Sequence, residues 1–414
     1  MTAAVAATEP IDVLVIGGGP AGLAAAAAAR AGGAGRVVVI EREDAAGGVP
    51  RHCDHTGFGV RDLHRVVSGP RYADRIVRRA VAAGVEVVTR TMVTGWAAPG
   101  AAQATGPDGL RTLHPRAVIL ATGARERPRS ARLVPGDRPS GVFTTGELQQ
   151  YVHLHHLPVG TRAVVVGAEH VSYSAVLTLR EAGARTVAMT TALPRHQSLG
   201  LFAHVTALGL RVPLWTGTAV TAINGRRRVE SVEVTDIGSG RARVVAVDTV
   251  VFTGDWIPDH ELARSAGLTI DRATRGPATD QLGRTSTPSV WAAGNLVHPG
   301  ETADVAARRG WRVGVAAAEE LRAPRVTSRV PLVADHPLSS VVPSVIAPGA
   351  GGAARLIVRT ATFLTHAVIV VEQGTRELGR YRLRRGVPNR SHRIPGDWAT
   401  AVDPEGGAVH VRVR

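Results

Sequence analysis

Two short stretches hold residue types whose order points to chemistry. The first is Gly17-Gly18-Gly19-Pro20-Ala21-Gly22, which reads G-x-G-x-x-G between an apolar run, Ile11 to Ile16, and an alanine run ending at Ala29. A strand running into a glycine turn and then a helix is the setting in which this spacing binds a dinucleotide. Gly17 lets the chain turn off the strand, Gly19 lets backbone approach a pyrophosphate, and Gly22 lets the helix pack closely on the sheet. Pro20 and Ala21 stand where the helix begins, and its unpaired N–H groups and positive dipole end point at the phosphates. Glu41 lies 19 positions after Gly22, at the end of the apolar run Val37 to Ile40, where a carboxylate accepts ribose hydroxyls. The second stretch, His52-Cys53-Asp54-His55, offers two imidazoles and a thiol within a glycine-rich loop, Ala46 to Gly59. Loops beyond a dinucleotide turn commonly line the pocket, which adds Arg42 and Gly48 to the cofactor-contacting positions.

These groups need a scaffold, and the sequence outlines one. Ser68-Gly69-Pro70-Arg71-Tyr72 reads as a helix start, with Arg71 to Ala83 as the body and Gly84 as the stop. Val85 to Val88 and Thr91 to Trp96 read as strands, the latter bringing Val93 toward the pocket. Ala97 to Gly109 reads as a Gly/Pro/Ala-rich turn region. Ala117 to Leu120 is a buried-type strand that ends in Ala121-Thr122-Gly123, small residues that let backbone meet a cofactor at the strand's carboxyl end.

A second unit then repeats the outline of the first without its chemistry. Ala163 to Val166 is a strand, Gly167-Ala168-Glu169-His170-Val171-Ser172 its turn, Ser172 to Glu181 a helix and Thr186 to Met189 the next strand. Glu169 stands where the second glycine belongs, and its carboxylate would face a pyrophosphate at a cost on the order of a few kcal/mol. The second strand ends in Met189-Thr190-Thr191, with no acid for a ribose and no arginine before Arg195. NAD(P) binding at this turn is therefore expected to be lost or strongly weakened. Val229 to Val234 and Val244 to Phe252 read as further strands of this unit, and Thr287 to Asn295 as a later strand and turn before a helix from Glu301-Thr302 to about Leu321. From Ala323 the texture changes to short alternating runs with Gly and Pro between them, a small all-β domain without a catalytic constellation.

Composition narrows the partners. The 414-residue chain is 44% hydrophobic, long enough for two or three domains, and carries a net charge of +15. Its basic residues are all arginine and are scattered, with few aromatics among them, so the footprint of a nucleic-acid surface is missing. The positive field still favours anionic substrates or an acidic partner. Cys53 is the single cysteine, no Cys/His set has metal-ligand spacing, and a reducing, cytoplasmic setting fits. Residues 1–10 lack the pattern of a signal peptide, and the alanine run is too short for a transmembrane segment.

The order of fingerprint, Ala-Thr-Gly strand, second nucleotide-like unit and late strand ending at Gly294-Asn295 resembles the FAD-dependent pyridine nucleotide–disulfide oxidoreductase superfamily over about residues 1–322. Gly47 to Cys53, His55 to Gly59, Ser68 to Ala73 and Ala121 to Pro128 resemble a narrower branch: flavoproteins that accompany glycerol-3-phosphate dehydrogenases, and larger subunits of opine, amino-acid and cyanide-forming dehydrogenases. The resemblance implies an α/β fold with two Rossmann-like domains. An FAD-binding domain would span 1–147 and 256–322, with an NAD(P)-binding-like domain, 148–255, inserted in it and a small β-rich domain over 323–414. It implies that FAD contacts Gly17, Gly19, Pro20, Ala21, Gly22, Glu41, Arg42, Gly48, Val93, Thr122, Gly123, Gly294, Asn295 and Thr302. Asn295 replaces the family's aspartate on the flavin ribityl chain, and the helix after Thr302 directs N–H groups at the flavin. With one cysteine, disulfide-reductase chemistry is not expected. The loop with His52, Cys53 and His55 is expected to cover the flavin's substrate side, a histidine serving as general base; packed or solvent-facing roles are the alternative for all three.

Three readings follow. The first is an FAD-dependent dehydrogenase subunit oxidising a small amino, hydroxy or phosphorylated substrate and passing electrons to a partner subunit or acceptor. The second is an NAD(P)H-dependent flavin oxidoreductase. The third is a flavin-bearing electron-transfer or assembly subunit without its own substrate.

Overall fold

The computed structural model describes residues 10–198, 209, 211–323, 328–350 and 355–414. Most of the N-terminal segment read above for a leader lies outside them. The first sheet is built on Val13–Ile16, whose four residues are all buried. Its five strands are parallel, in the order Val290–Ala292, Ala117–Leu120, Val13–Ile16, Val37–Ile40, Glu86–Val88. A parallel sheet is covered on both faces, which is why these strands read as unbroken apolar runs. Period two sorts the side chains. Val13 and Val15 pack with the helical alanines, and Leu14 and Ile16 pack on the opposite face.

The helical face carries Pro20–Ala31, Gly69–Ala82 and Ala303–Arg322. The first and last of these lie backbone against backbone. A Cβ on Gly310 or Gly314 would come within 2.0 Å of the carbonyl oxygens of Ala21 and Ala25, so only a glycine and alanine interface allows this spacing. The opposite face carries an antiparallel meander, Met92–Ala98, Ala101–Gly106 and Gly109–Leu113. Ala97 to Gly109, expected as a turn region, thus holds a strand. Its Ala102 and Ala104 are buried against the sheet, and their small side chains hide the β signal while allowing close approach.

The second sheet repeats the parallel arrangement, in the order Val142–Thr144, Thr249–Phe252, Arg162–Val166, Arg185–Thr190, Leu214–Trp215. Helix His170–Glu181 follows its central strand. The run Val244 to Phe252 is not one strand. Ala242–Ala246 belongs to an antiparallel sheet with Ser231–Asp236 and Thr218–Asn224, and Thr249–Phe252 belongs to the parallel one. The break falls at Asp248, whose carboxylate accepts from the N–H groups of Thr161 and Arg162. A two-stranded ribbon, Ala124–Glu126 against Trp256–Pro258, joins the two sheets' units.

The C-terminal region is all β. It has a five-stranded sheet ordered Val345–Ile346, Val330–Ala334, Val409–Val413, Leu364–Gln373, Arg376–Gly386, and a three-stranded sheet of Leu338–Val342, Leu356–Thr360 and His392–Ile394. They enclose a core centred on Trp398, Leu356, Val358 and Ile369.

Candidate functional site

One large cavity, about 1980 Å3, opens at the carboxyl end of the first sheet and runs to the second sheet and the C-terminal region. Ligand pockets for small molecules hold about 300–1000 Å3, so this one has space for a dinucleotide and a further molecule. Its floor is the first fingerprint. Gly17 has φ +108, and a Cβ there would lie 2.4 Å from the Ala121 carbonyl oxygen. A Cβ on Gly22 would lie 1.9 Å from the Gly17 carbonyl oxygen. Those two glycines are demanded by the protein itself.

Gly19 is different. A Cβ on it would meet nothing but the Cα of Gly48, at 3.9 Å. Protein packing leaves this position free, and a side chain would project into the cavity. Gly48 faces it with φ +64, and its own added Cβ would meet the Gly19 Cα at 2.9 Å. The two glycines form a backbone cradle at the start of helix Pro20–Ala31, where the N–H groups are unpaired. That cradle fits a diphosphate.

Glu41 stands beside it, 7% exposed, accepting from the Gly18 N–H at 2.8 Å and the Glu43 N–H at 2.9 Å. The carboxylate is held in place by backbone and keeps acceptor capacity for ribose hydroxyls. Pro20, Ala21, Arg42, Val93, Thr122, Gly123, Asn295 and Thr302 also line the cavity. Gly22 and Gly294 lie behind the wall, where a Cβ on Gly294 would come 2.5 Å from the Cβ of Ala21. Thr122 donates to the Asp259 carbonyl at 2.7 Å. Asn295 accepts from the Glu301 N–H at 3.0 Å and donates to the Glu301 carbonyl at 3.2 Å, closing the turn before helix Ala303–Arg322.

The loop carrying the acid/base and thiol candidates also reaches the cavity. Burial pushes the His52 imidazole down to about 4, aided by the nearby Arg51 cation, so it is neutral at pH 7, and its buried Nε2 has no hydrogen-bond partner among the described residues. Burial pushes the Cys53 thiol up to about 12, and its Sγ lies 3.2 Å from Gln149 Oε1. A thiol in that state is not a nucleophile at neutral pH. His55 is half-buried, its Nδ1 2.9 Å from the Thr56 carbonyl and its ring 5.3 Å from that of Phe58.

Other lining residues carry no sequence signal. Arg61 clamps the loop to the late helix, its N–H donating to Asp304 at 3.0 Å and its guanidinium 3.4 Å from the same buried carboxylate. Pro388 to Arg393 bring the C-terminal region into the wall, although nothing in that run resembles a motif. Glu301 bonds Ser391, lies 2.9 Å from His298 and 3.8 Å from Arg359. Burial raises its pKa, but His298, Ser391 and Arg359 outweigh it and hold the carboxyl ionised.

A family model described as "Pyridine nucleotide-disulphide oxidoreductase" matches residues 11–310. The chain belongs to that family, whose members bind FAD. An opine oxidase subunit from Agrobacterium tumefaciens (strain Ach5) is 28% identical over 314 residues, covering 69% of this chain and 61% of that protein. The alpha subunit of sarcosine oxidase from Corynebacterium sp. (strain P-1) is 28% identical over 247 residues, covering 56% of this chain and 24% of that one. The chain thus spans about three fifths of the first relative's length and a quarter of the second's. The crystal structure of T. acidophilum thioredoxin reductase superposes with a TM-score of 0.62 at 20% identity, over 75% of this chain and 98% of that one, a likeness of fold. The chain is an oxidoreductase of this family with its two-unit nucleotide-binding fold and a C-terminal all-β region. Among the described residues no helix is long and apolar enough to cross a membrane.

Proposed function

We propose that this chain binds FAD on the Gly17–Gly22 turn and is the flavoprotein subunit of a dehydrogenase or oxidase. In this reading it oxidises a small amino, hydroxy or phosphorylated substrate and passes electrons to a partner. The observation that carries it is the Gly19–Gly48 cradle, two glycine backbones packed together beside a helix N-terminus, Gly19 meeting no side chain and lining the cavity. The opine oxidase and sarcosine oxidase relatives are by name subunits of larger enzymes, which supports a partner.

Bound FAD supplies a two-electron acceptor that protein side chains lack. The chain's own groups do the rest. Gly17 to Ala21 and Gly48 would hold the diphosphate, and Glu41 would take ribose hydroxyls. Asn295, the N-terminus of helix Ala303–Arg322, Thr122, Gly123 and Val93 would hold the flavin end. His52 lines the cavity as a neutral imidazole with a buried Nε2, so taking a proton from a substrate would require the loop to shift. Cys53 remains a protonated thiol, and with a single cysteine the reading is not a disulfide reductase. A reducing, cytoplasmic setting suits that lone thiol.

The test is a spectrum of purified protein incubated with FAD, then anaerobic bleaching by amino acids, hydroxy acids and glycerol 3-phosphate, with NADH alongside. Bound flavin bleached by one of these substrates is the expected result. Protein that takes up no FAD overturns the cofactor assignment, and rapid bleaching by NADH replaces the dehydrogenase reading with an NAD(P)H-dependent one.

A further inference from the structure

The second fingerprint turn lines the same large cavity, and the C-terminal region bonds to it there. A dinucleotide in a parallel α/β unit lies across the carboxyl ends of the strands, on the fingerprint turn and the end of the next strand. In this chain residues of the C-terminal region meet the protein at those positions. At the turn, Asn389 Nδ2 lies 3.4 Å from Glu169 Oε1, the residue that replaces the second glycine. Beside it, Gln197 spans from one to the other: its N–H donates to the Ala168 carbonyl at 3.0 Å and its Nε2 donates to the Pro388 carbonyl at 3.1 Å. Past the second strand, Arg195 is the first arginine and so the side chain that would take a ribose 2′-phosphate. Its guanidinium lies over the ring of Phe363, 4.1 Å from the centroid. Arg359, from the same region, lies 3.8 Å from Glu301 of the first unit.

We propose that the C-terminal β region of this chain is the resident occupant of its own second nucleotide groove. Phe363, Pro388 and Asn389 stand over the end of the second strand and over the fingerprint turn, where the ribose and diphosphate of NAD(P) would lie. The groove is an interface within one molecule, and electrons do not enter through it. The same docking carries Arg390 and Ser391 into the wall of the flavin-type cavity, so the region that closes one nucleotide site completes the other. This inference rests on the FAD reading only for the identity of the first site.

The closing experiment uses the full chain loaded with FAD, with flavin content read from its absorbance so that failure of the first site is seen separately. Amide hydrogen exchange is followed over residues 167–171 and 191–197, with and without millimolar NADH or NADPH. The expected result is slow exchange that neither nucleotide alters, and several-fold faster exchange of both segments in Gln197→Ala/Phe363→Ala/Asn389→Ala. A second measurement, cross-linking of Glu169→Cys/Asn389→Cys by a short bis-maleimide, is expected to join the two positions within one chain. Protection of the turn by NADH in the unsubstituted protein overturns the proposal, as does unchanged exchange in the triple variant together with no cross-link.

Discussion

The two fingerprint turns occupy equivalent places in two similar sheets, yet they meet different neighbours. At the first, the middle glycine meets the backbone of another glycine, Gly48, and no side chain. At the second, Glu169 fills that position, and burial pushes its carboxyl up to about 7 against the Asn389 amide and the Arg359 cation. Only the glycine that opens the bend is kept in both, Ser172 standing at the third position of the second: Gly167 has φ +144, and a Cβ there would lie 1.9 Å from Thr253 Oγ1. The first glycine of the turn is kept in each unit, whereas the second is kept in one. A nucleotide-type fold therefore does not itself imply a nucleotide, and the residue at the second glycine carries the distinction.

The largest effects should come from adding side chains at the first turn. Gly22→Ala places a methyl against the Gly17 carbonyl and is expected to cost about 1–3 kcal/mol of stability along with FAD. Gly19→Val should abolish FAD retention while the stability of the FAD-free protein, read from its melting, stays within about 0.5 kcal/mol of the parent. If Gly19→Val destabilised the apoprotein as much as Gly22→Ala, the cradle would be a packing feature and the contrast would collapse.

Next in size is Glu41→Gln. Loss of charge-assisted acceptance from Gly18 and Glu43 at 2.8 and 2.9 Å should weaken FAD binding about 10- to 100-fold by equilibrium dialysis, from about 1.5–3 kcal/mol per charged hydrogen bond. An unchanged affinity would remove Glu41 from the site.

Glu169 tests the other turn. Its folded pKa of about 7 lies above its unfolded value of about 4.5, so the folded state keeps a proton that the unfolded state releases. Stability is therefore lost as pH rises from about 4.5 to 7, and the penalty is complete above 7. Glu169→Gln should stabilise the protein at pH 8 by on the order of 1 kcal/mol after screening, read from its melting, and change little at pH 4. A stabilisation equal at both pH values would show that the carboxyl charge is not what burial opposes.

The smallest effect is expected in the loop that brings Gly48 to the first turn. Cys53→Ala should leave FAD content unchanged, and iodoacetamide at pH 8 should label Cys53 slowly until the protein is unfolded. Rapid labelling of the native protein would make Cys53 a reactive group of the site after all.

Much of the first site was legible because its determinants are local. Gly17 to Gly22, the apolar strands on either side and Glu41 lie within about thirty residues, and each residue type answers a backbone demand made nearby. The meander was less legible: Ala101–Gly106 is a strand made of small residues, chosen by contact with the sheet rather than by β propensity. The candidate triplet at His52, Cys53 and His55 shows the same limit. Spacing placed all three on one loop, but packing made Cys53 an inert thiol and left His52 a neutral imidazole.

By itself the sequence determined two strand–turn–helix units and the loss of glycine at the second. Those are matters of backbone conformation and steric space, written in consecutive residues. What covers the second turn was decided only in three dimensions. Phe363 and Asn389 are separated from Arg195 and Glu169 by well over a hundred residues, and no local pattern encodes a contact whose partners meet only after both sheets and the C-terminal β region have formed.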